Sequence, residues 1–354
     1  MQPIFHRVMS TSTALGLLAG LGIAGGMGLP LGIASAEAQD ELNVYSARHY
    51  EADDALFSGF TKETGIEVNI IEGSDEELVT RIVNEGANSP ADVLITVDAG
   101  RLWRADQEGV FQPVESEVLE ERIPANLRHP DGHWFGFSTR IRTLYYNPEI
   151  VDEPPQTYED LAAPRFEGLV CIRSSSNIYN LSLMASLIEH HGAEKAEEWA
   201  NGVVSNFARD PQGGDTDQIR GVASGECGVA LANHYYYMRL VRSDDDADQE
   251  VVENTELVWA NQEGRGAHQN VSGAGVLQNA PHKDAAVKFL EYLATDEAQA
   301  YFANGNNEYP AVESALDNPV LEEFGRPKLD DVNVSVYGEN QPEAQMIFDR
   351  AGWK

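Results

Sequence analysis

The chain has 354 residues and a formal net charge of −34 at pH 7, from 24 basic and 58 acidic side chains. A surface with this charge repels nucleic acids and anionic membranes, so we expect neither as a partner. The acidic residues are spread along the chain, which indicates a well-hydrated surface and does not by itself identify a cationic ligand.

Residues 1–38 have the features of a secretory signal peptide. An uncharged, glycine-rich apolar stretch over 14–33 follows a short basic start, and Ala36-Glu37-Ala38 supplies a small-x-small cleavage site. A membrane anchor is the alternative, because twenty uncharged residues approach spanning length. The glycines and Pro30 favour cleavage. No cysteine lies near the cleavage site, so we do not expect a lipid anchor. We therefore predict an exported, soluble, periplasmic chain that starts near Gln39.

Strand and helix signals alternate in the first part of the mature chain. Residues 42–45, 66–71 and 92–97 have the apolar patterns of strands, and the helical spacing between them ends at Gly65 and Gly86. Strands that alternate with helices predict an α/β fold with a mostly parallel sheet and helices on both faces.

Strand character returns at 134–147 and a second βα series follows over 168–260. A strand at 271–277 and a helix at 284–303 then suggest that the chain crosses back to the first series. We predict a periplasmic-binding-protein clamshell of type II character, in which two α/β lobes joined by two hinge crossings close around a ligand. The predicted first lobe comprises 39–138 and 268–310, and the predicted second lobe comprises 139–267 and 311–354.

The only two cysteines are Cys171 and Cys227, and in an exported protein such a pair predicts a disulfide. Each lies in a short apolar run, and each is followed eight residues later by a tyrosine, Tyr179 and Tyr235. If the two runs are neighbouring parallel strands, the cysteines lie side by side. The two tyrosines then emerge at the same edge of the sheet.

Three consecutive tyrosines, Tyr235, Tyr236 and Tyr237, follow the apolar run 228–234. Adjacent residues of a strand point to opposite faces, so three tyrosines at a strand end cannot all be core. Ligand sites of open α/β sheets lie at such ends. Deprotonated phenols are hard oxygen ligands that suit a hard cation such as Fe(III). The alternative is an aromatic patch on the surface of a lobe.

Other polar residues follow predicted strands. His49 and Tyr50 lie at the turn after the first strand, where they could face the ligand crevice. Ser174–Ser176 follow the strand of Cys171, and their hydroxyls suit either a helix cap or an anion. Arg239 lies four residues after Tyr235, where it could lower the pKa of a phenol or pair with surface acids.

The chain carries no G-x-S-x-G, H-E-x-x-H or C-x-x-C motif and no glycine-rich phosphate loop, so we expect a binding protein rather than an enzyme.

Six motifs spread over nearly the whole mature chain are similar to those of the periplasmic ferric-ion-binding proteins of ABC transporters, closest to the tyrosine-rich cyanobacterial type. They are Ser46-Ala-Arg-His-Tyr50, Ser89-Pro-Ala-Asp-Val93, Arg173-Ser-Ser-Ser-Asn-Ile-Tyr-Asn180, Ala232-Asn-His-Tyr-Tyr236, Asn261-Gln-Glu-Gly-Arg-Gly266 and Ala351-Gly-Trp-Lys354.

This resemblance implies a ligand set, Tyr50, Tyr179, Tyr235 and Tyr236, with His49 nearby or coordinating and with Arg48 and Arg239 close to the ligands. Some members of the wider family use a carboxylate after the third strand. The equivalent position here is Val97, beside Asp98, which favours tyrosine or tyrosine-plus-histidine ligation. Tyr237 departs from the family pattern and is not expected to be a ligand.

The resemblance further implies iron as the transported ligand, with Fe(III) favoured and Fe(II) left open. It also implies an inner-membrane ABC permease as the partner of a monomeric receptor. It leaves open whether a synergistic anion or His49 completes the coordination shell. The alternative function is a receptor for an organic or oxyanionic solute that uses Ser174–Ser176 and the arginines.

Overall fold

The computed structural model describes residues 41–48, 50, 52–312 and 318–354. The predicted signal peptide at 1–38 and His49 lie outside the described residues.

Nine strands of the described chain form one sheet. They are β1 (Glu41–Ser46), β2 (Glu67–Glu72), β3 (Val93–Val97), β4 (Phe135–Tyr146), β5 (Val170–Cys171), β6 (Val229–Asn233), β7 (Glu256–Val258), β8 (Gln269–Val276) and β9 (Tyr309–Pro310). The strand order is β2-β1-β3-β8-β4-β6-β5, and β7 and β9 also pair with β4.

Helices fill most of the remaining described chain. They are α1 (Asp53–Thr64), α2 (Asp75–Glu85), α3 (Ala99–Gln107), α4 (Glu117–Arg122), α5 (Ile178–His191), α6 (Ala193–Ser205), α7 (Asp215–Ala223), α8 (His234–Val241), α9 (Asp246–Glu253), α10 (Lys283–Leu293), α11 (Asp296–Asn306), α12 (Pro319–Phe324), α13 (Val336–Glu339) and α14 (Gln341–Ala351). Within the described chain, none of them combines the length and the apolar character that a bilayer crossing requires.

The helix predicted at 284–303 is two helices, α10 and α11, because Thr295 caps the second one. Its Oγ1 accepts a hydrogen bond from the amide of Ala298 at 3.2 Å. A threonine cap starts a new helix at this point, since its side chain satisfies an amide that the first turn leaves without a partner.

The α/β prediction is confirmed, but the expectation of a mostly parallel sheet is wrong. Parallel pairs lie at the two ends of the sheet, between β1 and β2, β1 and β3, and β5 and β6. The centre is antiparallel because β4 and β8 run against their neighbours. The first half of β4 pairs with β8 and its second half pairs with β6, so this strand joins the two halves of the sheet.

The two largest hydrophobic clusters lie on the two halves of the sheet that β4 joins. One is built on β1, β3, α1 and α10, where the rings of Phe60 and Phe289 lie 5.1 Å apart. Another is built on α5, α6, β6 and α14, where Phe348 and Trp353 lie 4.6 Å apart. The boundaries of the two lobes given above stay a prediction.

The predicted disulfide between Cys171 and Cys227 is confirmed, with 5.8 Å between the two Cα atoms. The strands β5 and β6 are parallel neighbours, as expected, and Cys171 lies opposite Ala230. Cys227 itself lies two residues before β6. The bridge therefore fastens the start of β6 to β5, and the chain segments after both strands leave the sheet at the same edge.

Candidate metal centre

The three consecutive tyrosines lie on a helix, not at a strand end as the sequence suggested. β6 ends at Asn233, which has an extended backbone, and α8 begins at His234. Successive residues of a helix are rotated by about 100°, so Tyr235 and Tyr236 can border one site while Tyr237 turns away. The helix start, rather than strand alternation, therefore decides which tyrosines face the site.

Tyr235 and Tyr179 meet through their hydroxyl groups, which lie 3.3 Å apart. Tyr179 is in the first turn of α5, whose cap residue Asn177 accepts a hydrogen bond from the amide of Asn180 at 3.3 Å. The ring of Tyr236 stacks on that of Tyr235 at a centroid distance of 4.3 Å. Two helix starts thus bring the phenol of Tyr179 to those of the adjacent Tyr235 and Tyr236, which lie 56 and 57 residues further along the chain.

The guanidinium of Arg239 connects this group to Tyr50. Its central carbon lies 5.1 Å from the ring centroid of Tyr235 and 5.5 Å from those of Tyr236 and Tyr50. The guanidinium carbon of Arg48 lies 4.8 Å from the ring centroid of Tyr50. The structure therefore brings together the four tyrosines predicted as ligands, together with both predicted arginines.

Tyr237 lies outside the cluster. Its hydroxyl donates a hydrogen bond to the carbonyl oxygen of Thr255 at 2.7 Å, and its ring contacts that of Tyr145 at 5.3 Å. The side chain has a structural role on the opposite side of α8.

Burial raises the pKa of Tyr235 well above its usual value, and the charge of a deprotonated Tyr179 would raise it further. The pKa of Tyr236 is raised for the same two reasons. Arg140 acts in the opposite direction on Tyr235, because its positive charge stabilises the phenolate. These two phenols are thus protonated at neutral pH, and a bound cation has to displace their protons.

Arg140 is a residue of the site that the sequence reasoning missed. It is buried on β4, and its guanidinium carbon lies 5.7 Å from the ring centroid of Tyr235. Within the described chain its Nε and Nη1 are buried without a hydrogen-bond partner. The available signal was the pattern Arg140-Ile-Arg142 inside an otherwise apolar strand, since arginine is rarely buried unless it is paired.

Glu308 holds Arg140 and Arg48 in place from a third segment, between α11 and β9. It accepts hydrogen bonds from Arg140 Nη2 at 2.7 Å, from Arg48 Nη1 at 3.0 Å and from Ser138 Oγ at 2.7 Å. Asp53 binds the other side of the Arg48 guanidinium through two bonds of 3.0 Å. The two arginines, together with Glu308 and Asp53, form a buried ionic cluster beside the tyrosines.

The neighbouring carboxylates are fully engaged by protein groups. Asp98 accepts hydrogen bonds from Ser182 Oγ at 2.7 Å and Asn270 Nδ2 at 2.9 Å. Asp215 pairs with Arg142 at 2.9 Å and with Arg173 at 3.5 Å. Because these carboxylates already have protein partners, the phenol oxygens, and not the carboxylate of Asp98, are the ligands available to a cation.

The serine segment before α5 does not provide the helix cap, because Asn177 has that role. The hydroxyls of Ser174 and Ser176 lie 3.0 Å apart, and the amide of Ser175 donates to the carbonyl of Lys354 at 3.0 Å. The segment therefore contacts the C-terminal residue of the chain.

Comparison with known proteins gives concordant matches. The profile of the family described as bacterial extracellular solute-binding protein matches residues 88–331. Iron uptake protein A2 of Synechocystis sp. is 55% identical over 316 residues, which are 88% of this chain and 90% of that protein.

Two solved structures extend these matches to the fold. A Trichodesmium protein (IdiA, FutA) in complex with iron and citrate has a TM-score of 0.86 and 54% identity, covering 89% of this chain and 100% of that one. The ferric binding protein of Campylobacter jejuni has a TM-score of 0.81 and 39% identity, with 88% and 100% covered.

Proposed function

The chain belongs to the family of bacterial extracellular solute-binding proteins, and from that premise we propose that it binds Fe(III) through tyrosine phenolates and delivers the ion to an ABC permease. The observation that carries the proposal is the position of Arg239, whose guanidinium lies within 5.5 Å of the ring centroids of Tyr50, Tyr235 and Tyr236. A fourth phenol, that of Tyr179, joins them through Tyr235.

The donor set favours a hard, highly charged cation. Phenolate oxygens are hard ligands, and hard cations prefer oxygen over nitrogen or sulfur donors. Four phenolates carry four negative charges, of which Fe(III) neutralises three. The cations of Arg239, Arg140 and Arg48 around the cluster stabilise the remaining charge.

Binding of the ion requires loss of the phenol protons. Because burial raises the pKa values of Tyr235 and Tyr236, the metal supplies the free energy for their deprotonation. Iron uptake therefore releases protons, and acidification favours release of the ion.

His49 and a synergistic anion are the two candidates for the remaining coordination positions. The buried Nε and Nη1 of Arg140 support an anion, since these donors have no partner among the described residues and an anionic oxygen would satisfy them. The Trichodesmium relative was solved in complex with both iron and citrate, which is a precedent for a protein of this kind that binds iron and an organic anion.

The protein acts as a carrier outside the cytoplasm and performs no turnover. We propose that it works as a monomer, with Tyr50 contributed by the first predicted lobe and Tyr179, Tyr235 and Tyr236 by the second. A cation bound by both lobes stabilises the closed form, because only that form offers it ligands from both lobes at once. The permease then has to recognise the closed, loaded carrier.

Metal analysis and a proton-release titration test the function. The purified mature protein, stripped of metal and titrated with Fe(III) citrate, should take up one iron per chain, release protons and develop a phenolate-to-iron charge-transfer band in the visible. Mg(II) at the same concentration, which gives no such band, is the control for non-specific metal binding. A protein that takes up no iron but retains an organic or oxyanionic solute would instead support the alternative receptor function.

A further inference from the structure

We propose that Asp106, His129 and His133 form a second metal site, for a borderline divalent cation such as Zn(II). The nitrogen and carboxylate atoms that these residues offer lie within 4.8 Å of one another. The proposal does not depend on the function of the tyrosine cluster, because it concerns different residues and a different donor chemistry.

The carboxylate of Asp106 bridges the two imidazoles. His133 Nδ1 lies 2.6 Å from Asp106 Oδ1, and His129 Nε2 lies 3.6 Å from Asp106 Oδ2. The two rings are stacked in parallel at a centroid distance of 4.6 Å. Ligands of a tetrahedral zinc ion, with bonds of about 2.0–2.2 Å, lie roughly 3.3–3.5 Å apart. Because the two rings are parallel, at least one of them has to rotate out of the stack before both nitrogens point at the same ion.

The backbone fixes where the histidines stand. Asp106 lies on α3, and both histidines belong to the tight turn before β4. In that turn the amide of Gly132 donates to the carbonyl of His129 at 3.1 Å, and the amide of His129 donates to the carbonyl of Trp134 at 3.0 Å. Gly132 has a φ of 73°, a value that disfavours other residues.

The site is accessible and electrostatically suited to a cation. The side chains of His129 and His133 are 14% and 28% exposed, so an ion can reach them from solvent. The negative charges of Asp131 and Glu339 also act on His129. A second group of three candidate ligands in the described chain, Cys171, Glu226 and Cys227, is not available because its cysteines form the disulfide.

Metal binding replaces existing contacts of the two histidines. The cation takes the place of the proton that His133 Nδ1 and Asp106 share, and this proton moves to Nε2 of the same ring, which stays neutral. His129 Nδ1 now accepts a bond of 3.1 Å from the amide of Asp131, so ligation through Nε2 moves the ring proton to Nδ1 and breaks that exposed bond. Two nitrogens and one carboxylate oxygen match zinc and its neighbours better than Fe(III), which prefers oxygen ligands.

The test uses the mature protein already loaded with iron, so that the tyrosine cluster is occupied. Isothermal titration with ZnCl₂ should show one zinc per chain, with the iron charge-transfer band unchanged. Mutation of residues that only hydrogen-bond to metal ligands weakens metal binding about 10–100-fold. Loss of a ligand itself costs at least as much, so His133→Asn should weaken zinc binding by more than tenfold. Asp106→Asn should do the same.

His190→Asn is the matched control, because His190 pairs with the carboxylate of Asp330 at the same 2.6 Å, but among the described residues no second histidine joins them in a possible metal cluster. It should leave zinc binding unchanged. Far-UV circular dichroism reports whether each variant is folded, independently of the tyrosine cluster, and if His133→Asn fails to fold, Asp106→Asn and His129→Asn decide the question. Zinc binding that is absent in the unmodified protein, or equal in all variants, would overturn the proposal.

Discussion

The carboxylate of Glu308 holds the guanidinium of Arg140 at 2.7 Å, and both side chains are fully buried. Arg140 lies on β4, the strand that joins the two halves of the sheet, and Glu308 lies on the segment that returns from α11. The guanidinium carbon of Arg140 also lies 5.7 Å from the ring centroid of Tyr235. Glu308 therefore positions the positive charge of Arg140 beside the tyrosine cluster.

We expect Glu308→Gln to destabilise the protein by about 3–5 kcal/mol, because it leaves the buried guanidinium groups of Arg140 and Arg48 without their shared anion. Urea unfolding of the metal-free protein measures the effect. Glu263→Gln, at an exposed glutamate, is the control and should change stability by less than about 0.5 kcal/mol. Equal stability of the two variants would show that the buried cluster contributes nothing to the fold.

The same pair predicts a pH dependence of stability. The positive charges of Arg48 and Arg140 and the bonds from Ser138 and Arg48 lower the pKa of Glu308 to about 2 against the effect of burial, from a usual value of 4.5. A lowered folded-state pKa means that the stabilisation is complete above pH 4.5 and is lost as the pH falls towards 2. The difference in unfolding free energy between the unmodified protein and Glu308→Gln should therefore shrink across this window. A constant difference would contradict the assignment.

The tyrosine series separates ligation from structure. Tyr235→Phe and Tyr236→Phe each remove one phenol oxygen and keep the ring, so both should weaken iron affinity and the charge-transfer band. Tyr237→Phe should leave the band intact and cost about 1 kcal/mol of stability, because it removes the bond to the carbonyl of Thr255. The absence of any effect on iron at positions 235 and 236 would reject the ferric-tyrosinate site.

Sequence reasoning found these tyrosines through local chemistry and family resemblance, but it placed them on the wrong element. A β-like apolar run continues into the aromatic triplet, and the side chain of Asn233, the residue before α8, makes no capping bond, so no local signal marks the start of the helix at His234. The role of Arg140 could not be read in the same way, because its partner Glu308 is 168 residues away in the chain. Nor does the periodicity of a strand reveal its direction, which is why the antiparallel centre of the sheet was missed.

The disulfide between Cys171 and Cys227 should stabilise the fold by constraining the unfolded chain. It closes a loop with a sequence separation of 56, for which the chain-entropy model gives about 4 kcal/mol. The double variant Cys171→Ser, Cys227→Ser should lose a comparable amount in urea unfolding. Two free thiols in a non-reducing assay of the freshly exported protein would reject the bridge in its native form.

Closure on iron is the last prediction, and contacts of α8 allow a sharp test of it. Arg242 Nη1 donates to the carbonyl of Asn304 and to the side chain of Asn307, both at 2.9 Å, so α8 of the second predicted lobe contacts the end of α11 in the first. If these bonds form only in the closed state, Arg242→Ala should weaken iron binding about two- to tenfold, corresponding to a net bond energy of about 0.5–1.5 kcal/mol. Arg220→Ala is the control, because Arg220 pairs with Asp248 at 2.7 Å within one predicted lobe.

Small-angle scattering should give a larger radius of gyration for the metal-free protein than for the iron-loaded one. Identical radii would mean that all ligands come from one lobe or that the metal-free protein is already closed.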